Sequence, residues 1–265
     1  MTLARDPLLT TRREFLAVLA CGSAGLLGCL SSTESHASSD SPGGGSARFA
    51  TRFAAPTSGV TPGTYLLNAS NVNDGALVVP PGYDATKPMP LVVALHGAGG
   101  NPQQSIALLG ASAASRGFLL LAVGSRGLTW DALTFKFSYD VTFIDGALKS
   151  TFERCNVDAS RIVIQGFSDG ATYALGLALA NGDLFTRAVA DSPGFIAQSD
   201  SPAVGKPKFF FSHGRLDSVL PIDGASRIIV PDLQKRGYNV TYVEFDGGHQ
   251  VPADILAQAV DFMLS

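Results

Sequence analysis

The residues of this chain that could do covalent chemistry are one serine between glycines, the three of its four histidines that lie in the domain, and a few aspartates. Ser168 lies in Gly166-Phe167-Ser168-Asp169-Gly170, after the β-branched run Ile162–Ile164 and before an Ala/Leu-rich helical pattern. Gly-x-Ser-x-Gly between a strand and a helix is the arrangement of a nucleophile elbow, where the bend is too tight for side chains at the flanking positions. A serine hydroxyl is a weak nucleophile at neutral pH and needs a general base that is itself oriented by a carboxylate. His96, His213 and His249 are the candidate bases. His249 follows the last predicted strand in a loop able to reach back over a sheet, and the order serine, acid, histidine selects it as base. His96 is expected to brace a glycine-rich turn and His213 to pack beneath the site. Asp217 is the expected acid. Asp191 is its rival, and Asp223 has the blander use of opening a helix.

Acyl transfer also needs donors for a developing oxyanion. The N–H of Asp169 is one expected donor, and the N–H of Ala98, in His96-Gly97-Ala98-Gly99-Gly100, is the other. Gly99, Trp130 and Phe195 are expected to line the substrate pocket. The alternative for Trp130, the only tryptophan, is an ordinary core residue. Gly97-Ala98-Gly99 is not a dinucleotide fingerprint: Pro102 stands in place of the third glycine and Leu119 where an acid is wanted. No phosphate-binding loop, His-Glu-x-x-His or cysteine cluster is present, so no cofactor and no metal are implied.

These residues must be carried by the elements around them. Leu91–Leu95 is an apolar run suited to a strand buried on both faces. From there helix and strand alternate: helix 103–116, strand 118–123, helix 141–152, strand 161–165, helix 171–181, strands 188–190 and 208–212, helix 226–236, strand 240–245 and helix 255–264. Ahead of them, 64–68 and 76–79 read as an antiparallel hairpin. The pattern predicts an α/β fold, a mostly parallel sheet with helices on both faces and no large cap. Ligands of such sheets bind at the carboxyl ends of the strands, which is where His96, Ser168, His213, Asp217 and His249 all fall.

The chain has 265 residues, 46% hydrophobic and 15% charged, with a net charge of −3. This is a globular composition with no basic run in the domain to hold nucleic acid. Thr10-Thr11-Arg12-Arg13-Glu14-Phe15-Leu16 is a twin-arginine pattern ahead of an apolar stretch. Leu26-Leu27-Gly28-Cys29 resembles a lipobox. Residues 1–29 are therefore expected to be an export signal, 30–60 a flexible Ser/Gly-rich tether and 61–265 the domain. Cleavage after Ala37, releasing a soluble protein, is the rival to a lipid anchor. The expected location is the bacterial cell envelope, with the membrane touched only through that anchor. Of three cysteines only Cys155 lies in the domain, where it reads as a packing residue.

Taken together, Leu95–Gly100, Asn156-Val157-Asp158, Gly166–Gly170, Ser192-Pro193-Gly194-Phe195, His213-Gly214 to Asp217 and Asp246–His249 resemble the α/β-hydrolase superfamily. The nearer resemblance is to its phospholipase/carboxylesterase and polyhydroxybutyrate-depolymerase-like esterases. It implies hydrolysis of carboxylic esters, small or polymeric, by Ser168, His249 and Asp217 without a cofactor. A serine peptidase on the same fold and a non-catalytic binding protein are the alternatives.

Overall fold

The structure, a computed structural model, describes residues 45–68 and 70–265. The expected export signal and lipobox, and the tether up to residue 44, lie outside the described residues. Eight strands form one sheet: β1 (Gly63–Leu66), β2 (Gly75–Val79), β3 (Met89–Leu95), β4 (Leu119–Val123), β5 (Val157–Phe167), β6 (Arg187–Asp191), β7 (Lys208–Gly214) and β8 (Val240–Phe245). Their order is β1-β2-β4-β3-β5-β6-β7-β8. From β4 to β8 every pairing is parallel, and β2 runs against both of its neighbours. The hairpin and the parallel sheet are as expected.

Alternation along β3 splits the interior in two. Leu91, Val93 and Leu95 join a core shared with helices α3 (Tyr139–Arg154), α4 (Asp169–Ala180) and α5 (Ser226–Lys235). Val92 and Ala94 join a smaller core under α1 (Pro102–Arg116) and α6 (Ala253–Leu264). The remaining helix, α2 (Asp131–Thr134), is a single turn in the loop after β4, and nothing in the periodicity of that loop had announced it. Helix α1 starts as its sequence dictates: Asn101 accepts from the N–H of Gln104, Pro102 needs no partner for a missing N–H, and Gly117 ends the helix in the left-handed region. All twelve residues of α4 are buried, which makes it the central helix.

The described part of the expected tether is not free. Gly45 N donates to Asp200, Arg48 pairs with Asp183, and Phe49, only 1% exposed, packs edge-on against Phe185. The domain thus begins by residue 45 rather than 61. A glycine- and serine-rich sequence gave no periodic signal for this strap, which is tied to Asp145 and Asp200, more than ninety positions away in the chain. Cys155 is fully buried, and burial pushes its thiol up to about 11, in keeping with a packing residue.

Register aligns the carboxyl ends of the central strands. Leu95 lies opposite Val123 and Gly166, Phe167 opposite Asp191, Asp191 opposite Ser212, and Gly214 opposite Phe245. The loops that leave these positions form one rim.

Candidate active site

At that rim β5 passes into α4 through Ser168, whose φ of 56° and ψ of −119° are costly for any residue but glycine. Its neighbours explain why the turn closes so tightly. A Cβ on Gly166 would lie 2.2 Å from the carbonyl carbon of Gly170, and one on Gly170 would lie 2.3 Å from the Leu95 carbonyl oxygen. The turn is held by Ser168 N donating to Asp191 O at 2.9 Å and by Thr172 N donating to Ser168 O at 3.0 Å.

Two other loops bring their side chains to the serine. His249, in the loop between β8 and α6, places Nε2 2.9 Å from Ser168 Oγ. Its Nδ1 lies 2.6 Å from Asp217 Oδ2. Asp217, in the loop after β7, also accepts from the main-chain N–H groups of Val219 (2.9 Å) and Leu220 (2.8 Å) through Oδ1. Burial pushes its carboxyl up, but hydrogen bonds from His213, His249 and Leu220 outweigh that and hold it well below the usual carboxylate range. An ionised Asp217 makes Nδ1 of His249 the donor and leaves Nε2 as acceptor for the serine proton. The close approach of the two loops depends on Gly214, where a Cβ would meet the carbonyl oxygens of Gly247 and Gly248 at 2.3 Å. Three groups spread over more than eighty residues of sequence thus meet in one hydrogen-bonded line.

His213 sits beneath the site, fully buried. Its Nε2–H donates to Leu220 O at 2.8 Å with Asp217 Oδ2 at 3.3 Å, so Nδ1 accepts from the Ser226 hydroxyl at 2.8 Å. Asp191, the rival acid, instead accepts from Ser212 Oγ (2.6 Å) and Gln165 Nε2 (3.0 Å), and complete burial raises it to about 6. Asp223 is engaged with Arg227 at the surface.

The expected oxyanion donors flank the serine. Asp169 opens α4, so its N–H has no acceptor within the helix and stands at the positive end of the helix dipole. Ala98 is exposed in the turn after β3, and its neighbour Gly97 is close enough that a Cβ there would lie 3.3 Å from Ser168 Cβ. His96 holds the base of this turn. Ser125 N donates to its Nε2 at 3.1 Å, so Nδ1 carries the hydrogen donated to Gly97 O at 2.7 Å. Burial lowers its pKa and keeps the ring in the neutral form that both bonds require. The N–H of Gly99 is spent on Leu128 O at 2.8 Å. Gly99 therefore stays at the rim as an exposed glycine at φ 64° and offers no main-chain donor to a ligand.

Two expected pocket residues are corrected. Trp130 is fully buried, stacked on Tyr173 (22° between planes) and donating Nε1–H to His96 O at 2.9 Å. It braces the turn from behind and forms no pocket wall. Phe195, 3% exposed, belongs to the main core. An indole or phenyl ring close to the site in sequence has more area to bury than a rim can cover, and the core took both.

Thr129 was missed: its hydroxyl donates to Asp169 Oδ2. A lone threonine in a loop carries no spacing signal, and only the approach of that loop to α4 reveals it. Asp169 Oδ1 is buried without a hydrogen-bond partner, and burial raises the carboxyl to about 6, with Thr129 pulling the other way. Beside the reactive groups a cleft of about 390 Å³ opens between α1 and the 249–251 loop, with Gly97, Leu108, Phe167 and His249 among its walls.

The fold, with a serine at a strained strand-to-helix turn met by a histidine and an aspartate from later loops, defines an α/β-hydrolase. Residues 137–264 match the family described as phospholipase/carboxylesterase. A probable feruloyl esterase C of Aspergillus oryzae is 28% identical over 180 residues, 65% of this chain and 65% of that protein. The match therefore spans just under two thirds of that relative's length. Feruloyl esterase C of Emericella nidulans is 26% identical over 217 residues, 69% of this chain and 78% of that one. Among solved structures, esterase PE8 superposes with a TM-score of 0.59 at 21% identity, covering 72% of this chain and 97% of the other. The chain has the α/β-hydrolase fold and is similar to carboxylesterases of that fold.

Proposed function

We propose that the protein hydrolyses carboxylic esters through an acyl-enzyme on Ser168. The observation that carries this reading is the hydrogen-bonded line Ser168 Oγ, His249 Nε2, His249 Nδ1, Asp217 Oδ2, with distances of 2.9 and 2.6 Å. In the first half-reaction Oγ attacks the ester carbonyl while its proton passes to Nε2. The negative charge moves to the carbonyl oxygen, which accepts from the N–H groups of Ala98 and Asp169. The C–O bond to the alcohol then breaks as Nε2 returns its proton to the leaving oxygen. Water repeats the sequence on the acyl-serine and releases the acid. Asp217 stabilises the imidazolium that forms in each half.

The relatives named as feruloyl esterases support aromatic acids as one substrate group to test. A panel of esters with one alcohol and acids from acetate to ferulate gives the acid preference. Turnover of a p-nitrophenyl ester and labelling by a fluorophosphonate are expected for the wild type and absent in Ser168→Ala; equal labelling of the variant would reject the assignment. A peptidase would show amide turnover comparable with ester turnover. We also propose, from the leader alone, that the enzyme is exported and lipid-anchored at Cys29. Release of Cys29→Ala into the soluble fraction is the expected result.

A further inference from the structure

The carboxyl of Asp169 stands where an ionised group is poorly satisfied, and the acyl-enzyme mechanism uses only the N–H of this residue. Asp169 is fully buried. Oδ2 accepts from the Thr129 hydroxyl and Oδ1 meets no donor. A carboxylate has room for about four hydrogen bonds, so a single hydroxyl leaves most of its capacity empty. No lysine or arginine among the described residues pairs with it. The neutral acid suits the same surroundings better. The Thr129 hydroxyl can turn to accept from Oδ2–H, which leaves Oδ1 a bare carbonyl oxygen, the less costly orphan. Burial pushes the carboxyl up to about 6, although the Thr129 hydrogen bond and the His249 imidazole pull it down.

The other ionisable groups around Asp169 are turned elsewhere. On α4 itself there is only Tyr173, whose hydroxyl donates to Asp131 at 3.0 Å. In the loop after β4, Arg126 pairs with Asp74 at 2.7 Å, and Asp140 at the start of α3 accepts from the N–H groups of Arg126 and Asp131. Both ring nitrogens of His96, after β3, are bonded to the main chain. Asp191, ending β6, is engaged with Ser212 and Gln165. Asp217, after β7, faces His249. His249 is the group whose charge reaches Asp169. The imidazolium that forms on it is already matched by Asp217, so a second anion is not needed there.

A charge on Asp169 would act on the reaction directly. Its N–H is one of the two oxyanion donors, and covalent geometry keeps its carboxyl within a few ångströms of that donor. In a weakly screening interior, a negative charge so placed opposes the one that grows on the ester carbonyl oxygen. We infer that the Asp169 side chain gates the oxyanion site by protonation: esters are cleaved while this carboxyl is a neutral acid, and its ionisation shuts the site. The inference rests on the esterase reading and adds to it a positioning group that neither gives nor takes the transferred proton.

The test is kcat for one acetate ester of an uncharged alcohol from about pH 5 to about pH 9. The wild type is expected to lose about tenfold or more of its kcat as Asp169 ionises, with little change in KM. Asp169→Asn cannot ionise and is expected to show no such alkaline decline. Asp169→Ser, neutral and smaller, gives the same reading if the asparagine variant fails to fold. Infrared difference spectra between the acid and alkaline ends are expected to contain a protonated-carboxyl signal in the wild type that the variant lacks. Alkaline limbs that coincide in the wild type and a folded variant would overturn the inference. So would a wild-type kcat that stays level to the alkaline end, for which no variant is needed. If turnover depends on Ser168 and either of these is seen, only the gate falls. If the wild type cleaves no ester at any pH, the esterase reading falls with it.

Discussion

The two ends of α4 are built on opposite principles. At its C-terminal end the free carbonyls of Leu177, Leu179 and Ala180 are answered. Asn181 donates to Ala47 O (2.7 Å) and Leu177 O (2.9 Å) and accepts from Phe49 N (2.9 Å), while Arg48 donates to Ala180 O (2.8 Å). The strap 45–53 exists at this end to close the helix. At the N-terminal end Ser168 sits at positive φ without a side-chain cap, and Asp169 keeps a buried oxygen unpaired. Strain and unfilled hydrogen-bonding capacity are concentrated where a reacting carbonyl would arrive, and the stable end supplies the rigidity that sustains them.

The strongest way to break this comparison is at the serine itself. Ser168→Gly is expected to lower kcat by about a millionfold and at the same time to stabilise the fold by about 1 kcal/mol, because glycine tolerates φ 56°. Ester assays and thermal melts read the two effects, and a destabilised Ser168→Gly would mean the turn is not strained. Next comes Asp217→Asn, which removes the charge that orients His249; a loss of kcat of about ten-thousandfold is expected. Thr129→Val keeps the shape of the side chain and removes the hydroxyl that ties the loop after β4 to Asp169. A loss of about 10–100-fold in kcat with little change in KM is expected, restored by Thr129→Ser. A T129V enzyme with wild-type kcat would show that this tie does not position the oxyanion donors.

At the quiet end the expected effects reverse in kind. Asn181→Ala strands the Phe49 N–H and the Ala47 carbonyl, costing about 2–4 kcal/mol of stability while leaving kcat unchanged at temperatures below the melt. Between the two ends, Asp191 links strand β6 to Ser212 and Gln165. Burial raises its carboxyl from 3.8 to about 6, so the native state keeps that proton at pH values where the unfolded chain has lost it. Its contribution to stability is complete below pH 3.8 and is lost as the pH rises to about 6. The difference in stability between wild type and Asp191→Asn should therefore shift against the wild type across that window. A difference that stays flat with pH would mean that Asp191 titrates normally.

Much of this was legible in the chain. The strand-to-helix passage at Ser168 carries its own signature, since only glycine fits at 166 and 170, and the β-branched run before it fixes the strand. Alternation of strand and helix gave the parallel sheet, and the carboxyl-end rule gathered His249 and Asp217 beside the serine. Trp130 and Phe195 were misplaced because an aromatic residue near a site looks the same in sequence whether it faces ligand or core. The docked strap at 45–53 was read as tether because its partners, Asp145, Asn181, Asp183 and Asp200, lie far along the chain.

The amino-acid sequence by itself determined the elements, their order and the reactive groups at the strand ends, because those rest on local periodicity and on backbone geometry that only glycine allows. Tertiary structure alone decided the rest: which oxygen of Asp217 meets His249, that Trp130 turns inward, that Thr129 reaches Asp169, and that a cleft opens beside the imidazole. Those outcomes depend on how loops from different strands pack against one another, and side-chain contacts between distant segments leave no periodic trace in the chain.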